Sequence, residues 1–249
     1  MRKTVSISVA AILLLSNICA CASESTLTIE RTATLRALFP ENQIEKLAGI
    51  MPPDREVHWD LHVPEDSVPH GVLVFVSPMT STALTADWAK VLDQHNLIWV
   101  AARDYGNPVP ANQRMLAALM GLTLVQQNYA VDSSHVYIAG MSGGGRVASM
   151  TVTTFPQLFT GALYIVGVDF WSTKDPSLLE QINRRRYVFM TGDKDFNRSE
   201  VRLAYKRYRD AGATQSLLMD LPHFGHEYPR ASQLDKALQF LAETSTPDK

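Results

Sequence analysis

The fold is decided by residues 135–150, which read HVYIAGMSGGGRVASM. Residues 135–139 have the composition of a strand, and residues 146–150 can propagate a helix. Between them, glycines two positions before and two positions after Ser142 remove side chains that would collide in a sharp turn. The stretch therefore predicts a strand, a tight turn and a helix, with the Ser142 hydroxyl exposed at the turn. Two other interpretations stay open, a turn with a capping serine and a phosphate cradle. No Gly-Lys-Ser/Thr follows, which weakens the second.

Strands and helices alternate on both sides of this turn. Residues 57–63 alternate between apolar and polar side chains and predict a strand at the sheet edge. Residues 71–76 are continuously apolar, which is typical of a central strand covered on both faces. Further strands are predicted at 97–101, 161–166, 187–190 and 215–219, and helices at 83–95, 112–127, 144–154, 178–183, 200–211 and 232–243. This alternation predicts an α/β fold with a mostly parallel sheet and helices on both faces. Reactive groups are then expected at the carboxyl ends of the strands.

Length and composition limit the class of protein. The chain has 249 residues, of which 46% are hydrophobic and 19% charged, enough for one sizeable core. We expect a single domain over residues 23–249. The formal net charge of -2 lacks the basic excess that binding a phosphate backbone requires. Nucleic acid is therefore not an expected partner.

Residues 1–22 have the features of a signal peptide. Arg2 and Lys3 precede an apolar run at 5–15 that is too short to span a bilayer comfortably. Cleavage at a small-residue site around Ala20 and lipidation of Cys21, as in a bacterial lipoprotein, are both open, and a buried N-terminal helix is a further alternative. We expect export to the periplasm or the medium, or attachment to a membrane through Cys21. Since both cysteines lie in this segment, the remaining chain has no disulfide framework.

A serine hydroxyl needs a base, and the base needs a third group that holds its tautomer. His226 lies in a glycine-containing loop between the last predicted strand and helix, which makes it the first choice for the base, with His223 as the alternative. For the acid we choose Asp195, deep in the loop after the strand at 187–190. Asp193 and Asp169 are the alternatives, and Asp193 also suits a turn that bonds its own backbone. The tract at 223–227 lacks the His-Glu-x-x-His spacing of a zinc helix, and we predict no metal and no cofactor.

The anion formed during acyl transfer needs two donors. The backbone N–H of Gly143, next after Ser142, is the expected first donor. Pro78 has no N–H, so Met79 is the expected second donor, with Thr80 behind it. Phe170 and Trp171 are expected to form a substrate-pocket wall, although aromatic residues there are core residues as often. The connection between 166 and 187 has room for one short helix, which predicts an open site without a large lid.

The segment from Val131 to Gly145 resembles the nucleophile region of secreted esterases that are similar to polyhydroxybutyrate depolymerases and feruloyl esterases. The tract FPQLF at 155–159 and Gly225-His226-Glu227 are also similar to that family. The resemblance covers residues 59–229 and implies an α/β-hydrolase fold with a triad carried by Ser142, Asp195 and His226, in the chain order of such enzymes. The chain departs from the family at Ser77-Pro78, where relatives usually carry His-Gly.

The sequence therefore predicts a serine hydrolase that acts on a small-molecule or polymeric carboxylic ester through an acyl-enzyme. Two alternatives stay open. One is a serine peptidase, which would need a gating domain or cleft that the sequence does not reveal. The other is a non-catalytic envelope protein that keeps the fold for binding, because fold alone does not fix function.

Overall fold

A computed structural model describes residues 27–65, 68–82, 84–170 and 173–243. The predicted signal peptide with Cys21, and Trp171, lie outside these residues. The described strands are β1 (Ile29–Ala33), β2 (Val57–His62), β3 (His70–Val76), β4 (Leu97–Ala102), β5 (Val131–Met141), β6 (Gly161–Ile165), β7 (Arg186–Gly192) and β8 (Ser216–Leu221). The described helices are α1 (Leu35–Leu38), α2 (Glu41–Leu47), α3 (Ala86–Gln94), α4 (Ala111–Asn128), α5 (Gly143–Thr154), α6 (Pro176–Asn183), α7 (Arg198–Asp210) and α8 (Ala231–Ala242), with a 3-10 turn at Pro156–Leu158.

The eight described strands form one sheet in the order β1-β2-β4-β3-β5-β6-β7-β8. β2 pairs antiparallel with both β1 and β4, and the strands from β3 to β8 run parallel. The predicted α/β class with a mostly parallel sheet is thus confirmed. Parallel pairing brings the carboxyl ends of β3 to β8 to the same edge of the sheet, so the loops that follow these strands lie together.

Helices cover both faces of this sheet, as predicted. In β3, Val72, Val74 and Val76 face a core built with α1, α4, α5 and α7, while Leu73 and Phe75 face a second core built with α3 and α8. Every residue of β3 is buried. Burial on both sides explains why this strand is continuously apolar in sequence.

The structure corrects two details of the predicted sheet. The strand at 57–63 was expected at the edge, but β1 pairs with β2 and takes the edge position. The first four residues of β1 are exposed, so this strand carries no apolar alternation that would reveal it. The strand expected at 161–166 ends at Ile165, because Val166 has a φ of 47° and leaves the extended conformation.

Among the described helices, none combines the length and the apolarity needed to cross a bilayer. The connection between β6 and β7 contains α6, the short crossover helix that the sequence predicts.

Candidate active site

Ser142 lies between the end of β5 and the start of α5, as the sequence predicts. Its backbone has φ 53° and ψ -122°, a conformation that a residue with a side chain rarely adopts. The N–H of Ser142 donates to the Ile165 carbonyl at 2.8 Å, which ties the turn to β6. Gly140 makes the turn possible, because a Cβ there would lie 2.3 Å from the Gly144 oxygen. The strained turn presents the partly exposed hydroxyl at the carboxyl end of the sheet.

Three of the predicted side chains meet at this edge. His226 Nε2 lies 2.8 Å from Ser142 Oγ, and His226 Nδ1 lies 2.9 Å from Asp195 Oδ1. The carboxylate can only accept, so Nδ1 carries the proton and Nε2 is free to accept from the Ser142 hydroxyl. The Asp195 side chain is fully buried, whereas the imidazole is 19% exposed. The arrangement can move a proton from the hydroxyl to the imidazole.

The Asp195 carboxylate has two further donors. Thr191 Oγ1 donates to Oδ2 at 2.6 Å, and the backbone N–H of Asn197 donates to Oδ1 at 3.0 Å. Asn197 Nδ2 also donates to the Val166 carbonyl at 2.9 Å, which links this loop to the end of β6. Three hydrogen bonds hold this buried carboxylate in one orientation.

Backbone pairing between the loops after β7 and β8 brings Asp195 and His226 together. The Asp193 N–H donates to the Leu221 carbonyl at 3.2 Å, and the Lys194 N–H donates to the Phe224 carbonyl at 3.1 Å. Gly192 permits this approach, because a Cβ there would lie 2.5 Å from the carbonyl oxygens of Leu221 and Phe224. The register of the two loops therefore depends on a glycine.

The alternative base and acids lie in other environments. His223 is exposed, and its backbone N–H donates to Asp193 Oδ1 at 2.6 Å, so both residues help to join the two loops. Asp169 accepts from Arg146 Nη1 at 3.0 Å, and the same guanidinium binds Glu200. Of the candidate bases and acids, His226 lies within hydrogen-bond distance of Ser142, and Asp195 lies within hydrogen-bond distance of His226.

The two predicted oxyanion donors differ in their surroundings. Gly143 is the first residue of α5 and follows Ser142, so its N–H has no acceptor within the helix. The Met79 N–H, in contrast, donates to Ser77 Oγ at 3.0 Å. An oxyanion would have to compete with that hydroxyl for the Met79 N–H. The assignment of Met79 stays a prediction, and the structure does not favour it.

Phe170 lies against Tyr208, with ring centroids 5.8 Å apart, and the Arg207 guanidinium lies 5.8 Å from the Phe170 ring centre. Phe170 also lines a surface cleft of about 470 Å³ together with Met150 and Thr154, which lie at the far end of α5 from Ser142. Its predicted substrate contact therefore stays untested, as does that of Trp171, which lies outside the described residues.

Sequence reasoning missed several residues around the site. The Phe196 ring stacks on the His226 imidazole with centroids 4.0 Å apart, although 77% of the residue is exposed. Arg114, on α4, is buried and reaches the loops around Ser142. Phe196 had a signal, because it directly follows Asp195 in a loop that was expected at the site. Arg114 had none, since an arginine in a helix is ordinarily read as a surface residue.

The part of the chain that the structure describes holds no cluster of three or more His, Cys, Asp or Glu side chains suited to a metal ion.

The chain is similar to a protein-family model and to solved structures of known fold. The model of the prolyl oligopeptidase family matches residues 116–220, a segment that contains Ser142 and Asp195 and ends before His226. No curated protein sequence is significantly similar to the chain.

Solved structures resemble the chain over most of its length. A fungal esterase from Rhizomucor miehei superposes with a TM-score of 0.63 at 12% identity, covering 86% of this chain and 81% of the esterase. A ferulic acid esterase gives 0.62 at 17% identity, covering 87% and 98% of the two chains. A putative dienelactone hydrolase from Klebsiella pneumoniae subsp. pneumoniae gives 0.60 at 14% identity, covering 88% and 100%. The chain has the α/β-hydrolase fold.

Proposed function

We propose that the protein is a serine hydrolase that cleaves carboxylic esters through an acyl-enzyme on Ser142. The observation that carries this proposal is the unbroken hydrogen-bonded chain from Ser142 Oγ through both nitrogens of His226 to the buried Asp195 carboxylate. A nucleophile, a base and a group that orients the base are the three parts that serine-based acyl transfer requires.

The proposed reaction has two steps. In the first, His226 Nε2 takes the proton of Ser142 as Oγ attacks the ester carbonyl, and the same proton passes to the leaving alcohol when the C–O bond breaks. In the second, water gives a proton to His226 and attacks the acyl-enzyme, which releases the acid and returns the proton to Ser142. The Gly143 N–H donates to the oxygen that becomes negative in each tetrahedral intermediate. The charge of Asp195 stabilises the imidazolium that exists between proton transfers.

Esters are the proposed substrates for two reasons. The similar solved structures include a fungal esterase and a ferulic acid esterase, and the resemblance in the nucleophile region is to secreted esterases. The exposed side chains of Phe196 and Met79, which follow β7 and β3 at the same edge of the sheet, support the expectation of an open site. An open site suits a small or a polymeric ester whose reacting group is accessible.

Peptide hydrolysis is the second candidate, and the match to the prolyl oligopeptidase family model favours it. The same three side chains could cleave an amide. The two candidates differ in the leaving group. An amine leaves only after it has been protonated, so cleavage of an amide depends more strongly on proton transfer from the His226 imidazolium than cleavage of an ester does.

A paired substrate assay tests the proposal. The purified protein is offered p-nitrophenyl esters of short, long and aromatic acids and the p-nitroanilides of amino acids and dipeptides. We expect ester turnover that Ser142→Ala abolishes and that Ser134→Ala, a change at an exposed serine near the opposite end of β5, leaves intact. Preferred cleavage of the anilides would favour the peptidase. No turnover of any substrate, with Ser142 nonetheless reactive, would favour a binding protein.

We also propose that the protein is exported, on the strength of residues 1–22. Fractionation of the producing cells tests this location. Incorporation of labelled palmitate that Cys21→Ser abolishes is expected for the lipoprotein form, and a soluble exported form without label is expected for simple cleavage.

A further inference from the structure

The loop after β3, where the second oxyanion donor is expected, does not offer a free N–H at its first two candidates. Pro78 has none, and the Met79 N–H donates to Ser77 Oγ at 3.0 Å. The Ser77 hydroxyl in turn donates to the Ser81 carbonyl at 2.7 Å, while its oxygen accepts from the Met79 N–H. Hydrogen bonds within the loop thus engage both the Met79 N–H and the Ser77 hydroxyl. Besides the Thr80 N–H of this loop, a second donor can come from another element around Ser142.

Asn107, in the loop after β4, lies beside the first oxyanion donor. Its backbone N–H donates to the Pro78 carbonyl at 2.9 Å, which fixes the two loops together. Its carboxamide lies against Gly143, where a Cβ would be 2.2 Å from Oδ1 and 3.1 Å from Nδ2. Only a glycine at 143 leaves room for this amide. The side chain of Asn107 is otherwise exposed at the mouth of the site.

Arg114 determines which way the Asn107 amide faces. Its Nη1 donates to Asn107 Oδ1 at 3.2 Å, and since a guanidinium has donors only, the atom that faces it must be the oxygen. The amide nitrogen therefore faces away from Arg114. Among the described residues, no acceptor for Nδ2 is found.

The Arg114 guanidinium is itself held firmly. It is buried and also donates to three carbonyls at the carboxyl ends of the strands: Tyr105 at 3.0 Å, Ser77 at 2.9 Å and Gly143 at 3.3 Å. Burial lowers the pKa of Arg114 to about 10, which still leaves it charged at neutral pH. A buried cation that binds the loops after β3 and β4 and the start of α5 at once fixes the Asn107 amide relative to Gly143.

We propose that Asn107 Nδ2 is the second oxyanion donor of this site, beside the Gly143 N–H. Asn107 Nδ2 lies 3.1 Å from the position that a Cβ on Gly143 would take. A Cβ lies about 2.4 Å from the nitrogen of its own residue, so Asn107 Nδ2 is at most about 5.5 Å from the Gly143 nitrogen. Two N–H groups can share one oxygen at ordinary hydrogen-bond lengths when their nitrogens are less than about 5.8 Å apart. Arg114 is the positioning residue in this arrangement. The inference rests on the proposed function, because it assigns a role in the same acyl transfer.

Asn107→Ala and Asn107→Asp test the donor, and Asn112→Ala, at another exposed asparagine nearby in the chain, is the control. We measure kcat and KM for an ester, inhibition by an alkyl boronic acid, and thermal unfolding. Removing one oxyanion donor lowers kcat by about 10²-fold to 10³-fold. We expect this loss in Asn107→Ala with KM within about threefold of wild type, a similar loss of boronic-acid affinity, and an unchanged Tm. The Asp variant is expected to be slower still, because its carboxylate would repel the oxyanion.

Separate labelling of Ser142 with a fluorophosphonate keeps the two proposals distinguishable. If wild type is labelled and hydrolyses esters, while Asn107→Ala keeps kcat and boronic-acid affinity within about threefold, the donor assignment is wrong and the proposed function stands. A kcat loss that appears only with a lowered Tm also overturns the assignment. If Ser142 is not labelled in wild type, the proposed function fails, and the donor assignment fails with it.

Discussion

Replacing Asp195 with asparagine removes a charge while keeping the shape of the side chain. Oδ1 faces two donors, His226 Nδ1–H and the Asn197 N–H, so the amide oxygen of the variant must occupy that position. The new NH2 group then faces Thr191 Oγ1, a hydroxyl that can turn and accept. We therefore expect the imidazole to keep its position and its tautomer in Asp195→Asn.

The expected loss of activity follows from the missing charge. Asp195 Oδ1 and His226 Nδ1 are 2.9 Å apart, which places the centres of the two charges about 4 Å apart when the imidazolium forms. At an effective dielectric constant of about 20, that attraction is worth about 4 kcal/mol. Its loss raises the barrier and lowers kcat/KM about 10³-fold.

The assay is hydrolysis of p-nitrophenyl acetate by folded enzyme, with the active fraction counted by fluorophosphonate titration. Asp193→Asn is the matched control, because that carboxylate accepts from the His223 N–H and not from His226. An asparagine there still offers an oxygen to the same donor, so we expect activity within about fivefold of wild type. The reasoning is refuted if Asp195→Asn keeps more than about a tenth of the wild-type kcat/KM, or if Asp193→Asn loses as much.

Three further changes test how the site is held. Gly192→Ala places a Cβ 2.5 Å from two backbone carbonyls of the His226 loop; we expect kcat/KM to fall more than about 10²-fold with a lower Tm, and Gly49→Ala, where nothing lies within 4 Å, to change neither. Phe196→Ala removes an exposed ring that stacks on the His226 imidazole. The free energy of unfolding should change by less than about 1 kcal/mol, while kcat/KM falls severalfold. A variant as active as wild type would contradict a role for this stacking. Arg114→Met leaves the carbonyls of Tyr105, Ser77 and Gly143 without their buried donor. We expect urea denaturation to show that the free energy of unfolding falls by at least about 3 kcal/mol, against less than about 1 kcal/mol for the exposed Arg209→Met; equal losses would contradict this account of Arg114.

The central sheet and the nucleophile turn could be predicted from sequence because their signals are local. Continuous apolar runs mark β3 and β4, and closely spaced glycines around Ser142 mark a turn that other residues cannot make. β1 could not be predicted, because its side chains are exposed and its place is set by pairing with β2. Pairing partners far apart in the chain leave no periodic pattern.

Chain order and loop position were enough to choose Asp195 and His226, but the surroundings of Ser142 depend on contacts between loops. The Met79 N–H looks available in the sequence and is engaged by Ser77 Oγ in the structure. Arg114 has the appearance of an ordinary helix residue, and only its burial against Tyr105, Ser77 and Gly143 reveals its part in the site. Such contacts join β3, β4 and β5 at one edge and have no signature in any single segment.

The most direct test of the central claim is to treat the folded protein with a fluorophosphonate and to map the adduct by peptide mass spectrometry. The account predicts a single covalent adduct on Ser142, formed in wild type and absent from Ser142→Ala and from heat-unfolded protein. An adduct on another residue, or labelling that is unchanged in Ser142→Ala, would contradict it.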